Sequence, residues 1–92
     1  MQPLSQAEIA TRLASLPEWA VVEGALARTF VFKDFVAALG FVNRVGDASE
    51  AAGHHPDIDI RYNRVRLALV THDAGGITDR DFSLAAQADK LT

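Results

Sequence analysis

The chain contains no cysteine, so a disulfide framework, a thiolate nucleophile and a thiolate metal site are all excluded. Any chemistry must be done by oxygen and nitrogen groups. A basic excess is also missing: nine lysines and arginines stand against twelve acidic residues, a formal net charge of −3. That balance works against affinity for a phosphate backbone, so nucleic acid is not an expected partner. No stretch approaches the roughly 18 uninterrupted apolar residues of a membrane span, so a membrane is not an expected partner either. The opening Met1-Gln2-Pro3-Leu4-Ser5-Gln6 has no basic cluster and runs into an amphipathic segment with Glu8 and Arg12, unlike a secretory leader. A cytoplasmic location is therefore expected. No linker, low-complexity tract or repeat interrupts the chain, and no serine sits in a Gly-x-Ser-x-Gly elbow. The 92 residues are expected to form one domain, 1–92, which at this size buries only about 60–65% of its unfolded surface.

What is present is a succession of short periodic segments. Ser5 and Glu8 have capping-box spacing, and Ile9, Leu13 and Leu16 follow at helical intervals, predicting a first helix that ends before Pro17. From Trp19 to Phe32 the chain is rich in β-branched and aromatic residues and is broken once, at Glu23-Gly24, which predicts a hairpin. Leu26, Phe30 and Phe32 fall on one face of its second strand. Asp34 is a plausible cap for a long helix with Phe35, Leu39, Val42 and Val45 on its apolar face and Gly53 as its stop. Gly40 and Gly46 inside that helix each cost about 1 kcal/mol relative to alanine, so close packing against the sheet is expected there. Ile58, Ile60 and Tyr62, then Val65, Leu67, Leu69 and Thr71, alternate with polar or small residues on either side of a turn at Asn63, predicting a second hairpin. Thr78 and Asp81 open a last helix with Phe82, Leu84, Ala85, Ala88 and Leu91 on its apolar face. The expected fold is α+β, order αββαββα: a four-stranded antiparallel sheet with three helices packed on one face.

All three histidines fall at the ends of elements around the second hairpin. A hairpin returns its last residue to the neighbourhood of its first. His55 lies eight residues before Asn63 and His72 nine after it, so the two meet at one end, with His54 alongside and Glu50 on the adjoining helical turn. Imidazole exchanges protons near neutrality, and a neighbouring carboxylate can hold one tautomer, so the cluster suits general acid–base catalysis. A metal site is the rival. Pro56 pushes His55 toward extended backbone, and adjacent residues there point to opposite faces, which leaves His54, His72 and Glu50 as a conceivable ligand set in a spacing that matches no familiar metal motif. Arg61, Arg64 and Arg66, the one local basic cluster, read as solvated charges around the hairpin turn. Gly75-Gly76-Ile77-Thr78 reads as a turn followed by a helix cap.

Three runs carry a resemblance: Glu50-Ala51-Ala52-Gly53-His54-His55-Pro56, Tyr62-Asn63-Arg64-Val65, and Thr71 to Asp81 with its Thr-His, Gly-Gly and Arg-Asp pairs. Together they resemble the signature of the pterin-4a-carbinolamine dehydratases. The resemblance implies the same fold and a cofactor-free reaction in which pterin is the substrate: a 4a-hydroxytetrahydropterin loses water to give quinonoid dihydropterin. It implies His54 and His72 as the proton-transfer residues, His55 as a further site histidine that holds the pterin, and Glu50, Pro56 and Asp81 as binding or supporting residues, with no metal. It also implies a homodimer or homotetramer, and an aromatic amino acid hydroxylase as the source of the substrate. The alternative is a non-catalytic dimerisation or assembly partner of the same fold. Two positions depart from the family's pattern. Gly53 replaces an acidic residue before the histidine pair, and Ile58 replaces a tryptophan whose ring could cover the flat pterin.

Overall fold

A computed structural model describes all residues, Met1–Thr92. The elements run α1 (Gln6–Leu13), β1 (Ala20–Val22), β2 (Ala25–Val31), α2 (Phe35–Ala52), β3 (Asp57–Arg61), β4 (Arg64–Leu69), a 3₁₀ turn (His72–Ala74) and α3 (Asp79–Asp89). The strands form one antiparallel sheet in the order β1-β2-β4-β3. This is the expected αββαββα architecture. No helix is long and apolar enough to cross a membrane.

The alternation of β2 and β4 decides which side of the sheet the helices cover. Leu26, Phe30, Val65, Leu67 and Leu69 are at most 2% exposed, whereas Thr29, Arg64 and Arg66 lie on the open face. Above the covered face, Phe41 of α2 meets Phe30 and Phe32 at ring-centroid distances of 4.6 and 5.0 Å. Trp19 stands edge-on to Phe30 and donates its indole N–H to Asp89 at 2.9 Å, which ties the start of the first hairpin to the end of α3.

α1 stops at Leu13, before Pro17 as expected; the chain then tightens into 3₁₀-type bonds, Ser15 N–H to Arg12 and Leu16 N–H to Leu13, and Leu16 is buried in that turn. Two expectations are corrected. α2 buries Ala38, Phe41, Val45 and Ser49 rather than the stripe through Phe35 and Leu39, which stay 45% and 40% exposed. The aromatic cluster around Phe41 sets that rotation. The glycines of α2 do not mark close packing: a Cβ on Gly46 would meet nothing within 4 Å, and one on Gly40 only the tip of Arg44. Ala38, fully buried, takes the close approach to the core instead.

Two backbone features position the segments that follow. Gly53, at φ +63°, ends α2 in a left-handed cap: its N–H bonds Glu50 and the N–H of His54 bonds Ser49. Between β4 and α3, Thr71 bridges to Gly76, and Leu4 of the N-terminal strap donates to Ile77 at 2.8 Å. A side chain on Gly76 would strike the ring of Pro3 at 2.9 Å, so the strap lies flat against this loop only because residue 76 is glycine.

Candidate active site

The cap that ends α2 and the turn that ends β4 meet at one end of the sheet. Gly53, His54 and His55 from the first, Val70, Thr71, His72 and Asp73 from the second, and Arg80 from α3 line a cleft of about 250 Å³. All three histidines therefore share one cavity, as the hairpin argument requires. Of the other predicted residues, Glu50 and Asp81 are not in the lining but pair with histidines that are, and Pro56 lies outside it.

His54 is the buried member, 8% exposed, and its Nε2 lies 2.5 Å from Asp81 Oδ1. Asp81 is itself wholly buried, and its other oxygen accepts the Thr71 hydroxyl and the Thr78 N–H, each at 2.9 Å. Thr78 completes the network: its hydroxyl lies 2.7 Å from that of Thr71 and accepts the Arg80 N–H, which caps α3. A buried carboxylate is tolerated because both of its oxygens meet donors, three in all, and because it sits at a helix N-terminus. An ionised carboxylate only accepts, so the proton between the pair belongs on Nε2. That leaves Nδ1 of His54 as the nitrogen free to exchange a proton. Nδ1 has no protein partner, yet no buried polar side-chain atom in the molecule is unsatisfied, so this nitrogen reaches open space.

His55 lines the same cleft but takes a different carboxylate partner. Its Nε2 lies 2.5 Å from Glu50 Oε2, and both side chains are largely exposed. Glu50 is thereby drawn to His55 and not toward His54 and His72, and no group of three histidine or acidic side chains converges in a metal-holding arrangement. His72 opens the 3₁₀ turn, exposed, on the cleft wall. Arg80, at the start of α3, donates to the carbonyl of Gly53 at 2.9 Å. Consecutive residues of one helix thus hold the peptide that precedes His54 and the imidazole itself.

Sequence reasoning assigned no site role to Thr71, Thr78, Asp73 or Arg80. Thr71 reads as an ordinary strand-end residue and Thr78 as an ordinary cap; only their placement in the Thr-His and Arg-Asp signature runs could have marked them.

Comparison with known proteins supplies the family. The sequence model of the family described as pterin 4 alpha carbinolamine dehydratase matches residues 2–91. A protein of Chloroflexus aurantiacus, provisionally named a pterin-4-alpha-carbinolamine dehydratase, is 58% identical over 91 residues, covering 99% of this chain and 98% of the relative. One from Acidobacterium capsulatum with the same provisional name is 59% identical, covering 99% of each. Among solved structures, a transcriptional coactivator/pterin dehydratase from Brucella melitensis superposes with a TM-score of 0.94 at 34% identity, covering 98% of both chains. A pterin dehydratase-like RuBisCO assembly factor of the alpha-carboxysome shares the fold, with a TM-score of 0.65 at 23% identity over 79% of this chain and 84% of that one. Across nearly its whole length, the chain belongs to the pterin 4 alpha carbinolamine dehydratase family.

Proposed function

We propose that this protein dehydrates a 4a-hydroxytetrahydropterin, with His54 and His72 exchanging the protons and no metal or cofactor taking part. The C4a–O bond breaks, and the departing hydroxide needs a proton from an acid. The ring becomes the quinonoid dihydropterin when a ring nitrogen gives its proton to a base. One proton is delivered and one removed, so two imidazoles in opposite protonation states suffice. The observation that carries this reading is the pairing of buried His54 with Asp81, which leaves Nδ1 unpartnered on a ring that lines the same cleft as His55 and His72. His55, steadied by Glu50, holds the pterin, and Pro56 supports the segment that carries the two histidines. With Ile58 in place of an aromatic ring, the pterin's grip comes from the polar rim. A hydroxylase that oxidises its pterin at C4a would supply the substrate, in the cytoplasm.

We further propose self-association as at least a homodimer. Every residue of β3 is exposed at a sheet edge, with Ile58 and Ile60 still 38% and 36% accessible, and α2 leaves Phe35, Val36 and Leu39 uncovered.

The catalytic reading is tested with chelator-treated protein in a coupled hydroxylase assay. The decay of the 4a-hydroxypterin is expected to accelerate. Decay no faster than in buffer at micromolar protein would overturn it in favour of a non-catalytic assembly partner of the same fold.

A further inference from the structure

Far from the histidine cleft, the open face of the sheet carries a second concave patch. Thr29, Asp59, Arg61, Arg64 and Arg66 line a depression of about 400 Å³ with no apolar side chain. The strand register builds it. Thr29, Arg66 and Asp59 form one row across β2, β4 and β3, and Val31, Arg64 and Arg61 form the next on the same face. Three guanidinium groups stand against one carboxylate, so the patch holds two net positive charges on a chain of formal charge −3.

Only Arg61 has a partner: Asp59 accepts from its Nε and NH2 at 3.2 and 3.4 Å. Arg64 and Arg66 take part in no ion pair. Moreover, Arg61 and Arg64 are direct cross-strand partners, and like charges placed so destabilise a hairpin. The turn between them is strained as well. Tyr62 adopts φ +52°, a left-handed conformation costly for a bulky side chain. The turn is nevertheless pinned, since Asn63 donates its side-chain amide to the Phe32 carbonyl and accepts the Phe32 N–H, both at 2.8 Å. Repelling cations on a fixed hairpin form a preorganised site for an anion, and the guanidinium fork matches phosphoryl oxygens.

We infer that this patch binds a small phosphorylated anion of at least two negative charges, gripped by Arg64 and Arg66 with Arg61 and Thr29 completing the contacts. The site is separate from the cleft: Arg61 lies six residues along from His55, roughly 20 Å of extended strand. Three cations are too few for a nucleic-acid track, which commonly takes about 6–10 phosphate contacts.

Inorganic pyrophosphate, titrated at constant ionic strength into the intact isotope-labelled protein and followed by NMR, tests the assignment. Saturable shifts are expected at the amides of Thr29, Arg61, Arg64 and Arg66, with those of His54 and His72 unmoved. Binding is expected to weaken at least about tenfold in the Arg64→Gln/Arg66→Gln double variant and to stay unchanged in Lys90→Gln. Pyrophosphate is also expected to raise the melting temperature of the parent but not of the double variant. If the double variant folds poorly, Arg66→Gln alone, which leaves the Arg61–Arg64 pair intact, is expected to show an intermediate loss. Shifts that never saturate, or equal affinity in parent and variants, would overturn the inference. Tighter binding of a single-stranded oligonucleotide through the same amides would overturn the assignment to a small ligand.

Discussion

Replacing Asp81 by asparagine separates the shape of the buried network from its proton logic. The carboxylate accepts from three donors: His54 Nε2, the Thr71 hydroxyl and the Thr78 N–H. An asparagine of the same shape has one accepting oxygen, which stays with Thr71 and Thr78, where two donors converge. Its NH₂ then points at His54 Nε2, which must accept rather than donate. The imidazole proton moves to Nδ1, and the nitrogen that faces open space loses its lone pair. Because the site needs an imidazole of defined tautomer, kcat is expected to fall about 10²–10⁴-fold. Folding should survive: weakening one charge-assisted hydrogen bond costs about 1–3 kcal/mol, against a total stability of about 5–14 kcal/mol for a domain of this length. Asp81→Ala, which strands all three donors, should cost about 3–5 kcal/mol. Nitrogen-15 NMR of the imidazole reads the tautomer directly, with Nε2 protonated in the parent and Nδ1 protonated in Asp81→Asn. An unchanged tautomer with kcat within a few-fold of the parent would refute the reasoning.

His72→Ala is expected to lower kcat about 10²–10⁴-fold, whereas His55→Ala acts mainly on KM; steady-state kinetics across pterin concentrations separates them. Gly53→Ala should cost about 1–2 kcal/mol in denaturant unfolding and Gly53→Asn less, because the penalty is that of left-handed backbone and a Cβ would meet no neighbour. The Ser5 N–H and hydroxyl hold the Glu8 carboxyl below its usual value of 4.5, so its contribution to stability is present above about pH 4.5 and is lost as pH falls through the lowered value. Glu8→Gln should therefore lessen the fall in melting temperature between about pH 6 and pH 3. Sedimentation equilibrium should give at least twice the 9.9 kDa chain mass at tens of micromolar; a persistent monomer would show that β3 is protected without a partner.

The element order was legible because the second hairpin alternates, the first is β-rich and broken at Glu23-Gly24, and the helices start at recognisable caps. The first half of α2, Phe35 to Val42, has no polar side chain, so its sequence offers two stripes, through Phe35 and Leu39 or through Ala38 and Phe41, and local periodicity does not choose between them. The choice is tertiary: Phe41 meets the rings of Phe30 and Phe32, and Phe35 does not. The three histidines could be gathered from hairpin arithmetic alone. The hydroxyl network beneath His54 could not, since Thr71 and Thr78 are seven residues apart and their bond to each other follows no period. The role of Arg80 was hidden likewise, because its acceptor is a backbone carbonyl 27 positions away.

The double duty of Asp81 has a dynamic consequence. Its second oxygen closes the first turn of α3 through the Thr78 N–H while its first holds His54. When His54 picks up a proton, the imidazolium draws the carboxylate more strongly than the neutral ring does, and the turn that shares this carboxylate frays less often. On the proposed mechanism, a proton arriving at His54 is thereby coupled to the opening of a helix end. Hydrogen exchange at the Thr78 amide should slow as His54 becomes charged, so a backbone amide outside the cleft reports the protonation state of a side chain inside it.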